Sequence, residues 1–297
     1  MHRDIVFVGA ASGWGAQDNG CGDGPKTLVE RGYLPCFQQH DRSYCPPLTL
    51  LRPMNSPHAT PLEVIGQFCQ QLATTVADHL NNQKFPVVLG GDHSCAIGTW
   101  SGVHRISRHH GQLGMVWIDA HMDSHTPDSS QSGAIHGMPL ATLLGQGASL
   151  LTDLNGQQAT LDPKHVCLLG VRSYETAEQQ LLNSLGVRVI SMAEIQKIGF
   201  SHAWQQALSI ASTAKAGFGI SIDLDAIDPI EAPGVGSPEE NGIHAKELLE
   251  ALQTLKQRDD IWALEIAEYN PYRDHNNTTA ELMAQLTHAL LNEETQP

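Results

Sequence analysis

Short apolar runs alternate with longer amphipathic stretches along most of this chain. Seven runs, Ile5 to Val8, Pro86 to Leu89, Met115 to Ile118, Val166 to Leu169, Val187 to Ile190, Phe218 to Ile222 and Trp262 to Ile266, are brief and apolar. That is the pattern of strands buried on both faces. Between the first two, Leu62, Ile65, Phe68, Leu72, Val76 and Leu80 recur at helical spacing, and Thr60-Pro61 supplies an N-cap followed by proline at the first helical position. A further helix is predicted from Ala245 to Lys256. Strand and helix in alternation predict an α/β fold: a three-layer sandwich with a central, mostly parallel sheet and helices on both faces, where right-handed crossovers place them. Gly9 to Gly24 and Gln38 to His58, rich in Gly, Pro and Asp, are expected to be loops. With no repeat or linker in view, residues 1–297 are expected to form one domain.

Composition narrows the function. A chain that is 41% hydrophobic and 16% charged is neither disordered nor membrane-like, and no apolar run is long enough to cross a bilayer. The N-terminus leads directly into the first strand, so no secretory signal is expected. Cys21, Cys36, Cys45, Cys69, Cys95 and Cys167 are scattered without a CxxC pair, which predicts reduced core thiols and a cytoplasmic setting. A formal net charge of -15 argues against nucleic acid or an anionic membrane as partner and mildly favours a cationic small molecule.

In open α/β sheets, ligands gather beyond the carboxyl ends of the strands. Three such junctions read Gly90-Gly91-Asp92-His93-Ser94, Asp119-Ala120-His121-Met122-Asp123 and Asp223-Leu224-Asp225. They deliver two histidines and four aspartates to one edge: His93, His121, Asp119, Asp123, Asp223 and Asp225. In extended backbone, side chains two apart share a face, so the members of each set can converge. Converging carboxylates repel one another, and these segments contain no Lys or Arg to balance them, so divalent metal is the natural counter-charge. Six ligands exceed a tetrahedral zinc site and suit two five- or six-coordinate ions; oxygen-rich ligation with imidazole fits manganese(II), with cobalt, nickel or iron as substitutes. Two such ions about 3.5–4 Å apart activate a shared water for hydrolysis. A single Asp after a strand is ordinarily a cap or turn residue, and Asp228-Pro229 is read that way. His40, His58, His109, His110, His165 and His202 are read as ordinary surface or core histidines.

These motifs, with Ser221 to Pro229, Gly22-Asp23-Gly24-Pro25 and Glu268-Tyr269-Asn270-Pro271, resemble those of the ureohydrolases, the arginases and agmatinases, over nearly the whole chain. The resemblance implies two manganese ions: one held by His93, Asp119, Asp123 and Asp223, the other by Asp119, His121, Asp223 and Asp225, with Asp119 and Asp223 bridging. Ser132 to Pro139 is closer to arginases than to agmatinases. His136 matches the family's proton shuttle and Glu268 the acid that pairs with the guanidinium; with Asp123 they are the expected catalytic residues. Substrate contacts are expected from His125, Ser132, Glu175, Glu178, Ser237 and Glu268, with Glu175 where arginases usually have aspartate. Two departures stand out: His125 and Ala134 occupy positions where arginases usually have asparagine near the α-carboxylate. The resemblance thus implies hydrolysis of L-arginine to L-ornithine and urea. The alternatives are another amidinohydrolase, acting on agmatine, a guanidino acid or a modified arginine, or a catalytically silent metal-binding member. A homo-oligomer, trimer or hexamer, is implied as well.

Overall fold

The computed structural model describes residues 3–39, 42–54, 57–156 and 158–291. Among the described residues there are ten strands: β1 (Ile5–Ala10), β2 (Phe37–Gln39), β3 (Arg42–Tyr44), β4 (Leu48–Leu51), β5 (Phe85–Gly90), β6 (Gly114–Ile118), β7 (Val166–Val171), β8 (Arg188–Ser191), β9 (Phe218–Asp223) and β10 (Ile261–Ala267). Eight of them form one sheet in the order β4-β1-β5-β10-β9-β6-β7-β8, and every pair in it is parallel. All seven predicted strands are present. Alternate residues of each strand feed two apolar layers: Val87 and Leu89 join one, Val88 the other. The helices Phe200–Ala211, Ala245–Gln253 and Thr278–Leu291 cover the first layer, and Pro61–Asn81 and Cys95–Ser107 cover the second. This is the three-layer sandwich predicted.

The Pro61–Asn81 helix starts where its cap requires. Thr60 Oγ1 accepts the Glu63 N–H while the Glu63 carboxylate accepts the Thr60 N–H, so two otherwise orphaned donors are met. The helix predicted to Lys256 ends at Gln253.

Two expectations fail in the stretch read as loop. Leu48–Leu51 is an edge strand parallel to β1, and β2 and β3 pair as an antiparallel hairpin. The edge strand escaped notice because it is four residues long, paired on one side only, and set between Pro46-Pro47 and Pro53. Residues 40, 41, 55 and 56 of that stretch lie outside the described residues. Cys36 and Cys45 form a disulfide across the base of the hairpin, which corrects the reading of all six cysteines as reduced and removes the cysteine argument for a reducing compartment. Cys21, Cys69, Cys95 and Cys167 are free and buried, as expected. Among the described residues, no helix is long and apolar enough to cross a membrane.

The sheet and the second layer meet closely at Gly219, in the middle of β9. A Cβ there would lie 2.0 Å from Cζ3 of Trp100, a fully buried indole. Gly219→Ala is therefore expected to destabilise the protein by about 1–3 kcal/mol through overpacking, read as a lower midpoint in urea denaturation; an unchanged midpoint would show that the indole moves freely.

Candidate metal centre and active site

The four central strands β5, β10, β9 and β6 end side by side, and a polar residue follows each at the same edge. His93 follows β5, Glu268 follows β10, Asp223 closes β9 with Asp225 beyond it, and Asp119, His121 and Asp123 follow β6. His93 Nδ1 lies 3.0 Å from Asp123 Oδ2, 3.1 Å from Asp223 Oδ2 and 3.3 Å from Asp119 Oδ2. On the other side, His121 Nδ1 lies 3.1 Å from Asp225 Oδ2 and 3.6 Å from Asp119 Oδ1. Two groups with metal-ligand geometry result, His93/Asp119/Asp123/Asp223 and Asp119/His121/Asp225, with Asp119 in both. Asp223 turns one oxygen to the first group, while its other accepts the Asp225 N–H at 2.8 Å.

Local structure fixes these orientations. Asp119 accepts the Trp117 indole N–H at 2.9 Å on Oδ2 and the His121 N–H at 2.6 Å on Oδ1. Asp225 Oδ1 accepts the Ala120 N–H at 3.3 Å. His93 stacks on Trp117 with ring centroids 4.5 Å apart, and its Nε2 lies 3.0 Å from Ser221 Oγ. With Nε2–H donating to that hydroxyl, Nδ1 keeps its lone pair toward the carboxylates. Asp123 has φ 48°, a left-handed conformation that costs a non-glycine residue roughly 1–2 kcal/mol. It is held there by the Leu140 and Ala141 N–H groups on its carbonyl. Gly91, in the turn before His93, has no substitute: a Cβ would lie 1.9 Å from the Ser12 carbonyl oxygen.

The donor set fits divalent cations. His93 Nδ1 and Asp123 Oδ2 are buried without a hydrogen-bond partner among the described residues. Burial and then Asp119 push the Asp123 carboxyl up to about 7 when no cation is bound, and burial with Asp225 and Asp119 pushes Asp223 well up too. Arg172 does not neutralise them: its guanidinium donates to the carbonyls of Gly170, Asp225, Ala226, Glu239 and Glu240, which orders the surrounding loops. Buried carboxylates and imidazoles gathered in this way can hold divalent cations.

Beside the metal groups stand Glu268 and His136. Glu268 has φ 67° and is almost fully buried. Its Oε1 accepts the His93 N–H at 2.9 Å and lies 3.1 Å from His136 Nδ1; the Cys21 thiol donates to Oε2 at 3.1 Å. Burial works to raise the Glu268 carboxyl, but His136, Cys21 and the His93 amide hold it below the usual range. Burial works to lower His136, but Glu268 lifts it to about 9, so the ring is a cation at neutral pH.

A cleft of about 250 Å³ opens over the centre, lined by His121, Asp123, His125, Ser130, Ser132, Ala134, His136, Gly137, Ser173, Tyr174, Glu175, Glu178, Asp223, Asp225 and Ser237. Every expected substrate contact lines it except Glu268, which is buried and joined to the lining residue His136. The lining contains five carboxylates and no Lys or Arg. Two expected roles are narrowed by the geometry. Glu178 is buried and its carboxylate accepts the Ser124 and Glu175 N–H groups, so it braces the Thr176–Leu185 helix entry, while Glu175 stays half exposed. His125 Nε2 points at Glu178 (3.4 Å) and Glu175 (3.6 Å), so acids rather than an open pocket face the ring where a substrate carboxylate was expected.

Sequence reasoning passed over Trp117, Ser221, Arg172 and Cys21. For Trp117 and Ser221 a signal existed, since each sits two residues before a ligand aspartate and so shares its face. Removing the Ser221 hydroxyl leaves the His93 Nε2–H unmet. Ser221→Ala should weaken retention of divalent ions roughly 10–100-fold, measured by competition with a chelating dye; unchanged retention would make the hydroxyl irrelevant to the centre.

The sequence model of the arginase family matches residues 3–292. The chain is 37% identical over 232 residues to the arginase of Bacillus caldovelox, covering 78% of this chain and 77% of that one. It is 33% identical over 294 residues to the arginase of Brevibacillus brevis, covering 96% and 97%. Its structure superposes on the crystal structure of arginase from Bacillus subtilis with a TM-score of 0.87 at 33% identity, covering 99% of this chain and 100% of that one. The protein belongs to the arginase family.

Proposed function

We propose that the protein hydrolyses L-arginine to L-ornithine and urea with two manganese ions per chain. The observation that carries this reading is the Glu268–His136 pair, joined at 3.1 Å beside the metal-ligand groups, at a cleft lined by carboxylates and without Lys or Arg. His93, Asp119, Asp123 and Asp223 would hold one ion, and Asp119, His121 and Asp225 the other, with Asp223 contributing to both. Bound divalent ions supply activation of water and neutralise the buried carboxylates.

The remaining work falls to the side chains. The planar guanidinium pairs with the Glu268 carboxylate, which stays ionised below its usual range and suits paired N–H donors. His136, which Glu268 holds toward its protonated form, would pass a proton from Nε2 to the departing amine, while Nδ1 stays tied to Glu268. Glu175 is placed for the α-ammonium group, and the hydroxyls of Ser132 and Ser237 for the α-carboxylate. A second reading, hydrolysis of a different guanidino compound, draws on one observation: Ala134 lines the cleft with a methyl group where an amide would bind a carboxylate. The trimer or hexamer implied by the resemblance belongs to the same proposal.

Urea release from arginine, agmatine and 4-guanidinobutyrate after manganese loading tests the reading. Arginine should lead in kcat/KM by roughly one to two decades, the effect of leaving polar groups of the site unmet in its competitors. Metal analysis should find close to two ions per chain. Agmatine or guanidinobutyrate outperforming arginine would move the assignment to the second reading, and full activity with one ion would end the binuclear one. His136→Asn should lower kcat ~10²–10⁴-fold with the metal content unchanged; an equal loss of metal would instead make His136 a structural residue.

A further inference from the structure

We propose that Cys21 is a positioning residue: its thiol holds Oε2 of Glu268, and with it the plane of the carboxylate that receives the guanidinium. The inference rests on the reading of Glu268 as the guanidinium acceptor. Of the two Glu268 oxygens, Oε1 is anchored twice, by the His93 amide and by His136. Oε2 has the Cys21 thiol at 3.1 Å, and the same sulfur reaches the Glu268 carbonyl oxygen at 3.5 Å. The sulfur is fully buried on the short turn Asn19–Asp23, so this contact is a fixed part of the wall. The slot around Oε2 is narrow: a Cβ on Gly236 would lie 2.6 Å from Oε2 and 3.3 Å from the Cys21 sulfur. Backbone adjustment offers little relief, because Glu268 already holds a left-handed φ and its N–H is committed to the Gly91 carbonyl. The angle of the carboxylate about its last bond is therefore set by the two anchors on Oε1 together with the thiol on Oε2.

A thiol suits this place. It is a weak donor, so it directs Oε2 without occupying it as strongly as a hydroxyl or amide would, and a lone pair stays free for a guanidinium N–H. Burial and the adjacent Glu268 push the thiol far up its titration range, so it keeps the proton it donates.

The test compares Cys21→Val, close in volume and without a donor, with Cys21→Ser, which keeps one. Manganese-loaded wild type and both variants are assayed for urea release from arginine, with metal content and thermal midpoint measured alongside. Cys21→Val should lower kcat roughly tenfold, because a misaligned carboxylate loses the reacting geometry, while KM changes less than about threefold, since Oε1 keeps the charge in place. Cys21→Ser should stay within about threefold of wild type in kcat. Cys21→Val matching wild type, or both variants falling together, would overturn the proposal by showing that the sulfur only fills space. A wild type silent toward every guanidino compound would instead overturn the proposed activity, and the positioning is then decided by crystal structures: a rotated Glu268 carboxylate in Cys21→Val but not in Cys21→Ser supports it, and an unchanged carboxylate in Cys21→Val overturns it. Should Cys21→Val melt far below wild type, the serine variant and its structure decide alone, a rotated carboxylate there counting against the thiol's role.

Discussion

Four aspartates buried at one edge of a sheet repel each other, and the rest of the structure around them is arranged to keep them there. The repulsion is visible in Asp123 and Asp223, both driven toward the neutral form when no cation is bound. It is not relieved by Lys or Arg, because Arg172 serves backbone carbonyls and the cleft lining has neither residue type. Instead, backbone amides aim the carboxylates: the N–H groups of His121, Ala120 and Asp225 each fix one oxygen of Asp119, Asp225 and Asp223. Such contacts orient charge without cancelling it, so the convergence persists only on a framework stiff enough to resist it. A fully parallel eight-stranded sheet, packed on both faces by apolar layers, is that framework. A bound divalent ion turns the repulsion into attraction, so the centre should be among the largest contributors to stability when loaded.

The same edge explains why chemistry and metal binding are inseparable. β10 lies between β5 and β9, so Glu268 emerges between the strands that deliver His93 and Asp223. Its carboxylate then shares the His93 backbone amide with the metal centre and His136 with the cleft. Two residues here, Asp123 and Glu268, adopt left-handed backbone that side chains avoid. Each is held by main-chain hydrogen bonds, Asp123 through its carbonyl and Glu268 through its N–H to Gly91, so the strain is borne by the scaffold.

Strand positions were legible because each is a short, continuous apolar run, and ligand positions because residues two apart share a face. Asp119, His121 and Asp123 follow an apolar run at spacing two, and Asp223 and Asp225 do likewise, so the sequence alone brings them to one edge. Thr60-Pro61 marked the start of a helix because a capping box is local chemistry. Leu48–Leu51 was not legible: four residues framed by prolines carry too little periodicity, and only pairing with β1 makes them a strand. The Cys36–Cys45 disulfide was hidden for a related reason, since the hairpin that brings the two thiols together was itself read as loop. Cys21 was unreadable as a partner of Glu268, 247 residues away, because nothing in either segment specifies the other.

Reaction and substrate are encoded in different parts of the molecule, and this limits what each can reveal. The reaction depends on residues fixed at strand ends, where register leaves little freedom. Substrate choice depends on the stretch from His125 to His136 and on Glu175, which leave the sheet and are placed by side-chain contacts. His125 shows the consequence: the family resemblance implied a carboxylate partner for it, yet the fold turns Nε2 toward Glu175 and Glu178. Those acids make this wall of the cleft attractive to an ammonium group. The hydroxyls of Ser130, Ser132 and Ser237 also line the cleft, and with no Lys or Arg there they are neutral donors available to a substrate carboxylate. Neutral donors bind a carboxylate more weakly than a cation would. On the proposed reading, an α-amino acid head group would be gripped chiefly through its ammonium end, and discrimination between guanidino acids would rest on how the hydroxyls compensate for the missing amide at Ala134.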